Sequence, residues 1–342
     1  MKALRWHGAK DLRFEDVPEP VPGAGEVKVK IVYAGICGTD LREYAVGPYM
    51  LPPDTRSITL GHEFSGVVTE TGEGVTAFRP GDRVTGLGYR YCGECYCCKR
   101  MQYNICYNQG FTGLTVDGCM AEYLVTPDYS CFRLPDTVSD EAGSLVEPLS
   151  VAVHAVKRGN VQAGDTVAVI GDGTIGLCLV MAARAAGAAA VYVVSKHEKR
   201  AAKAMEMGAT SVISNTADPV AAIRERTSGI GADVSFESVG NNQAAQLAVD
   251  AIRHDGTTVI VGLFEKAGQF NFGEVPLGEK NIKGSSIYVR EAEAVIAMLE
   301  DGRLKPEGLI SSIVPFDEKA GAAFEQLLTD KENNLKILFR VS

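Results

Sequence analysis

At 342 residues the chain is long enough for about two domains of roughly 150 residues, and it can bury a core without disulfide staples. Hydrophobic residues make up 46% and charged residues 23%, a balance that excludes intrinsic disorder. With 34 Lys and Arg against 43 Asp and Glu, the net charge is −9, which argues against nucleic acid or an anionic membrane as a partner.

In chain order, the opening Met1-Lys2-Ala3-Leu4-Arg5-Trp6-His7 lacks the apolar core of a secretion signal. No run of about 18 uninterrupted apolar residues occurs, so a cytoplasmic protein is expected. The first third reads as β-rich. Residues 27–33 alternate apolar and polar, the mark of a half-buried strand, and 63–70 and 121–125 read as further strands. Pro and Gly punctuate between them, as at Pro22, Gly23, Pro80 and Gly81. Near residue 140 the texture changes. Ser139, Asp140 and Glu141 make a helix start, the acids complementing its dipole, and the helix is expected to run through Lys157 and Arg158 and end before Gly159. From 166 to 262, strands at 166–170, 191–195, 211–213, 233–236 and 257–261 alternate with helices at 174–186, 197–207, 217–226 and 242–253. Gly187, Gly208 and Gly229 stand where helices would stop. Such alternation implies a parallel sheet with helices on both faces. From Ile287 onward, two helices and a last strand near 336–340 are expected.

The strand at 166–170 runs into Gly171-Asp172-Gly173-Thr174-Ile175-Gly176 and then a helix. Glycines at this spacing allow a tight turn and close approach of a pyrophosphate, which the first N–H groups of the helix, from Thr174 and Ile175 onward, would receive. About 20 positions on, NAD-binding folds place an acid on the adenosine ribose. Ser195 holds that position here, with Lys196, Lys199 and Arg200 following. A carboxylate would repel a 2′-phosphate, whereas serine beside cations accepts it, Arg200 offering bidentate geometry. The reading is therefore NADP in preference to NAD.

Five of the nine cysteines fall between Cys92 and Cys106. Cys92, Cys95, Cys98 and Cys106 can close a tetrahedral shell around a structural zinc, with Cys97 a fifth thiol that leaves the register open and an iron–sulfur cluster as the rival occupant. A second, dispersed set comprises Cys37-Gly38-Thr39-Asp40, Gly61-His62-Glu63 and Glu147-Pro148. Thiolate, imidazole and carboxylate are the donors of an open, catalytic zinc, although spacing alone does not join them.

In their order along the chain, these motifs resemble a zinc-dependent medium-chain dehydrogenase/reductase of the alcohol dehydrogenase superfamily. Cys37-Gly38-Thr39-Asp40-Leu41, Glu43-Tyr44, Gly47-Pro48, Glu147-Pro148-Leu149-Ser150 and Lys280-Asn281-Ile282-Lys283-Gly284-Ser285 are similar to the butanediol and sorbitol (polyol) dehydrogenase branch. The resemblance implies an α/β protein. A GroES-like β-barrel catalytic domain would span 1–150 and 285–342, with a structural-zinc lobe at about 88–110, and a Rossmann doubly wound parallel sheet would span 151–284. It implies two zinc ions per chain. Cys37, His62 and either Glu147 or Glu63 would ligate the catalytic ion, the two glutamates exchanging or acting through water, and Thr39 would take the proton of the substrate hydroxyl. The implied activity is hydride transfer between a nicotinamide cofactor and a secondary alcohol, vicinal diol or polyol and its ketone. A sugar derivative or specialised metabolite is the alternative substrate, and an inactive zinc- and NADPH-binding relative the non-catalytic alternative. A homo-oligomer is implied, a tetramer before a dimer.

Two positions depart from the family pattern. Arg42 stands five residues after Cys37, where many members carry a proton-passing histidine, and a guanidinium cannot accept a proton. The relay would then run through Thr39, the cofactor ribose and water, or through Glu43. Ser195 departs from the NAD habit of the polyol branch. Tyr44, Tyr49 and Phe111 are candidate walls of the substrate pocket.

Overall fold

The alternating run around residue 30 becomes the strand Glu26–Gly35, whose Val27, Val29 and Ile31 are fully buried. In the computed structural model, which describes Met1–Ser342, this strand is the spine of the first of two units. That unit holds residues 1–147, 292–301 and 310–342, and the second holds 148–291 and 302–309. Residues 148–150, 285–291 and 302–309, expected with the catalytic domain, thus fall in the second unit.

In the first unit, Glu26–Gly35 pairs antiparallel with Glu63–Thr71 and Tyr123–Pro127, and its end pairs with the last strand, Lys336–Arg340. That strand pairs in parallel with Ile310–Pro315, which the sequence reading did not anticipate. Seven strands form this sheet, and a separate three-stranded sheet contains Lys2–Gly8, Asp11–Asp16 and Ile58–Thr59. Leu4, Trp6, Ile31, Phe64, Phe324 and Phe339 share one core, each worth about 1.5–3 kcal/mol of burial. The chain's two ends are therefore sealed into the core that carries the cysteine and histidine turns.

In the second unit six parallel strands lie in the order Ser211–Ser214, Ala190–Ser195, Thr166–Ile170, Ala232–Glu237, Ile252–Ile260, Asn281–Gly284. This order reverses beside Thr166–Ile170, the switch point where doubly wound sheets bind ligands. Val167, Ala168 and Val169 are all fully buried, as expected where helices cover both faces. The helix expected over 242–253 stops at Asp250. Ile252 is instead drawn into the sheet against Ala232, and Arg253 Nε reaches Asp233 at 2.7 Å.

The helix expected to begin at Ser139 is broken in two. Ser139 caps Asp140–Ser144 by accepting the Ala142 N–H at 3.1 Å. A new helix, Val146–Gly159, starts after Leu145. Pro148 explains the break: it has no N–H to continue the earlier ladder and is tolerated only in a first turn. Glu147 is thereby placed in the first turn of the second helix. No helix is long and apolar enough to cross a membrane.

Candidate active site and metal centres

The cysteine-rich stretch is pinched off by two short antiparallel strands, Tyr89–Arg90 and Gly110–Phe111. Cys92, Cys95, Cys98 and Cys106 converge so that their four sulfurs lie within 4.8 Å of one another. Cys92 Sγ is 3.9 Å from Cys98 Sγ and 3.5 Å from Cys106 Sγ, and Cys95 Sγ is 3.8 Å from Cys106 Sγ. A tetrahedral shell with zinc–sulfur bonds of about 2.3 Å sets its sulfurs about 3.8 Å apart, so the lobe has the dimensions of a closed zinc site. Backbone N–H groups of Cys98 and Tyr107 pull the Cys95 thiol down to about 6, whereas burial pushes Cys98 up to about 12. A dication reconciles the two by stabilising all four thiolates. All nine cysteines are free thiols. A Cys95→Ser chain is expected to lose the lobe's ion and become more protease-sensitive within 91–109, because the ion would join all four cysteines of this segment. Metal analysis and limited proteolysis check this.

The dispersed donors also converge. Cys37 is the N-cap of the helix Gly38–Val46. The buried Asp40 carboxylate accepts the Cys37 N–H at 2.9 Å and the Gly61 N–H at 3.1 Å, and it lies 3.9 Å from His62 Nδ1. One carboxylate thus ties the cysteine turn to the histidine turn. Gly61 has φ +94°, and a side chain there would meet Met120 Cγ at 2.8 Å, so only glycine fits. The Cys37 thiol stands close enough to His62 to raise its pKa. Glu147 joins them beside Gly88, where a Cβ would stand 3.2 Å from His62 Cβ and 3.5 Å from Glu147 Oε1. Burial lowers the His62 pKa, but Cys37, Asp40 and Glu147 outweigh it and hold the imidazole well above its ordinary range. Anionic groups gathered in this way around one imidazole suit a metal cation, and the donors fit zinc. Thr39 Oγ1 is buried without a hydrogen-bond partner.

Glu63 is placed differently. Lys336 Nζ holds its two oxygens at 2.7 and 2.6 Å, so its carboxylate is engaged by an ammonium. Glu43 is fully buried and accepts the N–H groups of Tyr49, Met50 and Leu51, so its carboxylate is committed to the backbone of its own turn. Tyr44 is a core residue whose hydroxyl donates to Glu325 at 2.6 Å. Phe111 is partly buried and packs against the core. Tyr49 lies under Arg42, the guanidinium 4.5 Å from its ring centre.

In the second unit, Gly171 has φ +120°, and a Cβ on Gly176 would stand 2.2 Å from the Gly171 carbonyl oxygen. The turn therefore requires both glycines. A Cβ on Gly173 would meet open space, and no side chain caps the helix Thr174–Ala185. The open cradle and uncapped helix start fit a dinucleotide's phosphates. Ser195 ends its strand beside Lys196 and Arg200, but the carboxylate that meets them is Asp172, which the sequence reading passed over. Asp172 Oδ2 accepts from Ser195 Oγ at 2.7 Å and from the Lys196 N–H at 3.0 Å, and Arg200 Nη1 lies 3.5 Å from Oδ1.

A doubly wound nucleotide sheet, a β-rich unit with converging Cys, His and Glu donors, and a four-cysteine lobe define a zinc-binding, nucleotide-dependent oxidoreductase. Comparison with known proteins agrees. The alcohol dehydrogenase GroES-like domain profile matches residues 23–136, and the zinc-binding dehydrogenase profile matches 174–301. The chain is 38% identical to the (R,R)-butanediol dehydrogenase of Bacillus subtilis (strain 168), covering 99% of each. It is 36% identical to a sorbitol dehydrogenase of Halalkalibacterium halodurans, covering 96% of this chain and 99% of that one. The crystal structure of 2R,3R-butanediol dehydrogenase from Bacillus subtilis superposes with a TM-score of 0.92 at 37% identity, over 100% of this chain and 99% of that one. The chain belongs to the zinc-dependent alcohol dehydrogenase family, the medium-chain dehydrogenases/reductases.

Proposed function

We propose that this enzyme interconverts a secondary alcohol or vicinal diol and the corresponding ketone, of the 2,3-butanediol–acetoin type, with NADP favoured over NAD. The observation that carries the chemistry is the convergence of Cys37, His62 and Glu147 in the same helix-and-strand cluster as the unpartnered Thr39 hydroxyl. The likeness to butanediol and sorbitol dehydrogenases supports the substrate class.

Cys37, His62 and Glu147 would hold the catalytic zinc, and Cys92, Cys95, Cys98 and Cys106 a second, structural one. When bound, the catalytic zinc supplies Lewis-acid polarisation that lets a substrate hydroxyl ionise near neutral pH, while the nicotinamide exchanges hydride. Asp40 positions the Cys37 and His62 turns for that ion. Lys336 keeps Glu63 from competing for it. Thr39 accepts the substrate proton and passes it on through water, since Arg42 cannot take it and the Glu43 carboxylate is committed to the backbone of its own turn. Gly171, Gly173, Thr174, Ile175 and Gly176 seat the pyrophosphate, and Ser195, Lys196 and Arg200 receive the adenosine end, their positive charge favouring a 2′-phosphate.

The enzyme is proposed to act in the cytoplasm, which suits nine unpaired thiols. It is also proposed to assemble as a homo-oligomer, a tetramer before a dimer. The strand Asn281–Gly284 ends its sheet with exposed residues, an edge a second copy can extend. Light scattering on the purified protein measures this directly.

The test is absorbance at 340 nm during acetoin reduction with equal NADPH and NADH, on protein whose zinc content has been measured. Faster loss of NADPH and two ions per chain are expected. Faster NADH oxidation overturns the cofactor preference. Turnover of neither cofactor overturns the diol assignment and directs the search to sugar derivatives.

A further inference from the structure

The strand-end position that selects between dinucleotides is occupied here by Ser195, yet a carboxylate still stands at that place, contributed by another element. Thr166–Ile170 and Ala190–Ser195 run side by side, with Ile170 in register with Val194. The chain leaving the first strand therefore passes the end of the second. Asp172, the middle residue of Gly171-Asp172-Gly173, turns into that gap and is only 7% exposed. Its Oδ2 accepts from Ser195 Oγ at 2.7 Å, from the Lys196 N–H at 3.0 Å and from the His197 N–H at 3.2 Å. Its Oδ1 lies 3.5 Å from Nη1 of Arg200, whose side chain is 13% exposed. All these groups belong to the second unit.

This arrangement gives one carboxylate two opposing effects. An adenosine ribose with a free 2′-hydroxyl can donate to Asp172 as it would to a strand-end acid. A 2′-phosphate, carrying about −1.5 to −2 charges as a monoester, meets a like charge. It also meets an Arg200 whose charge Asp172 already offsets. Lys196, Lys199 and Arg200 still outnumber Asp172 and Glu198 in this segment, so the local field remains positive.

We infer that Asp172 is a specificity-determining residue of the dinucleotide site: it restrains the preference for NADP that Ser195 and Arg200 would otherwise give and lets NAD remain a usable cofactor. This inference rests on the nucleotide site proposed above. Asp172→Asn keeps an oxygen to accept the Lys196 and His197 N–H groups while removing the charge.

The test is calorimetric titration of the wild-type chain, Asp172→Asn and Arg200→Gln with two fragments, adenosine 2′,5′-bisphosphate and 5′-AMP. Michaelis constants for NADPH and NADH are measured alongside. Asp172→Asn is expected to tighten the bisphosphate by about tenfold, a change of about 1.4 kcal/mol, and to leave 5′-AMP unchanged or weaker. The KM ratio should move the same way, towards NADPH. Arg200→Gln is expected to do the reverse, weakening the bisphosphate by about tenfold and sparing 5′-AMP. A purely structural role would weaken both fragments together. That outcome, or an unchanged ratio in both variants, overturns the inference. Failure of the nucleotide site itself looks different, because the wild-type chain would then bind neither fragment.

Discussion

A His62→Ala chain is expected to lose at least about a thousandfold in kcat/KM for the alcohol, since Lewis-acid assistance is worth several kcal/mol and each 1.36 kcal/mol is a factor of ten. The loss should be accompanied by a specific change in metal content: the catalytic ion goes and the cysteine-lobe ion stays. Removing the imidazole leaves only Cys37 and Glu147 as ligands, since Asp40 is engaged by the Cys37 and Gly61 N–H groups, and two protein donors do not hold zinc in competition with water. The lobe closes its shell entirely with its own sulfurs and has no reason to respond. Cys95→Ser removes the other ion instead, so the two variants share a zinc count while differing in activity and protease sensitivity. Metal analysis together with acetoin reduction separates them. A His62→Ala chain that keeps both ions, or keeps its turnover, would mean that the converging donors are not the catalytic centre.

Short-range features were the legible ones. The four cysteines span fifteen positions, so spacing alone sets how closely their sulfurs can gather. The strand–glycine turn–helix of 166–185 is likewise local, and its elements stand within a residue of where alternation and glycine placement put them. Partnerships made by the fold across long sequence separation were not legible. Cys37, His62 and Glu147 needed a family resemblance to be joined, because the tie between the first two is Asp40, a residue that alone reads as a helix-start acid. The break at Leu145 has its cause in Pro148, which lacks the N–H to continue the ladder, whereas the capping signal at Ser139 points to one unbroken helix. Asp172 was hidden differently. It sits at a position the glycine motif leaves variable, and its partner Ser195 is 23 positions away on a neighbouring strand. A carboxylate can satisfy a site from any element that reaches it, so a rule tied to one strand end misses it.

The Lys336–Glu63 pair joins residues 273 positions apart, and its removal is expected to have the largest effect on stability. Lys336 is 2% exposed and Glu63 1%. The ammonium donates to Glu63 Oε1 at 2.7 Å, to Oε2 at 2.6 Å and to the Ile36 carbonyl at 2.8 Å, so every N–H is used. This single group fastens the last strand to the turn carrying Cys37. Taking one partner from a buried pair strands an uncompensated charge and costs about 3–5 kcal/mol, whereas replacing both by neutral groups is far milder. Lys336→Met should therefore destabilise the first unit by about that amount, and adding Glu63→Gln should recover about 2 kcal/mol or more of it. Trp6, the only tryptophan and 2% exposed in the same core, reports this unit alone, so denaturant titration followed by its emission measures each variant without interference from the nucleotide sheet. If the two substitutions simply add, Glu63 is not held by Lys336 in solution, and its carboxylate returns as a competitor to Glu147 for the metal. If the double variant regains stability but still loses the catalytic zinc, the pair's function is to fix the Cys37 turn in place, a geometric role that no neutral pair of similar size can supply.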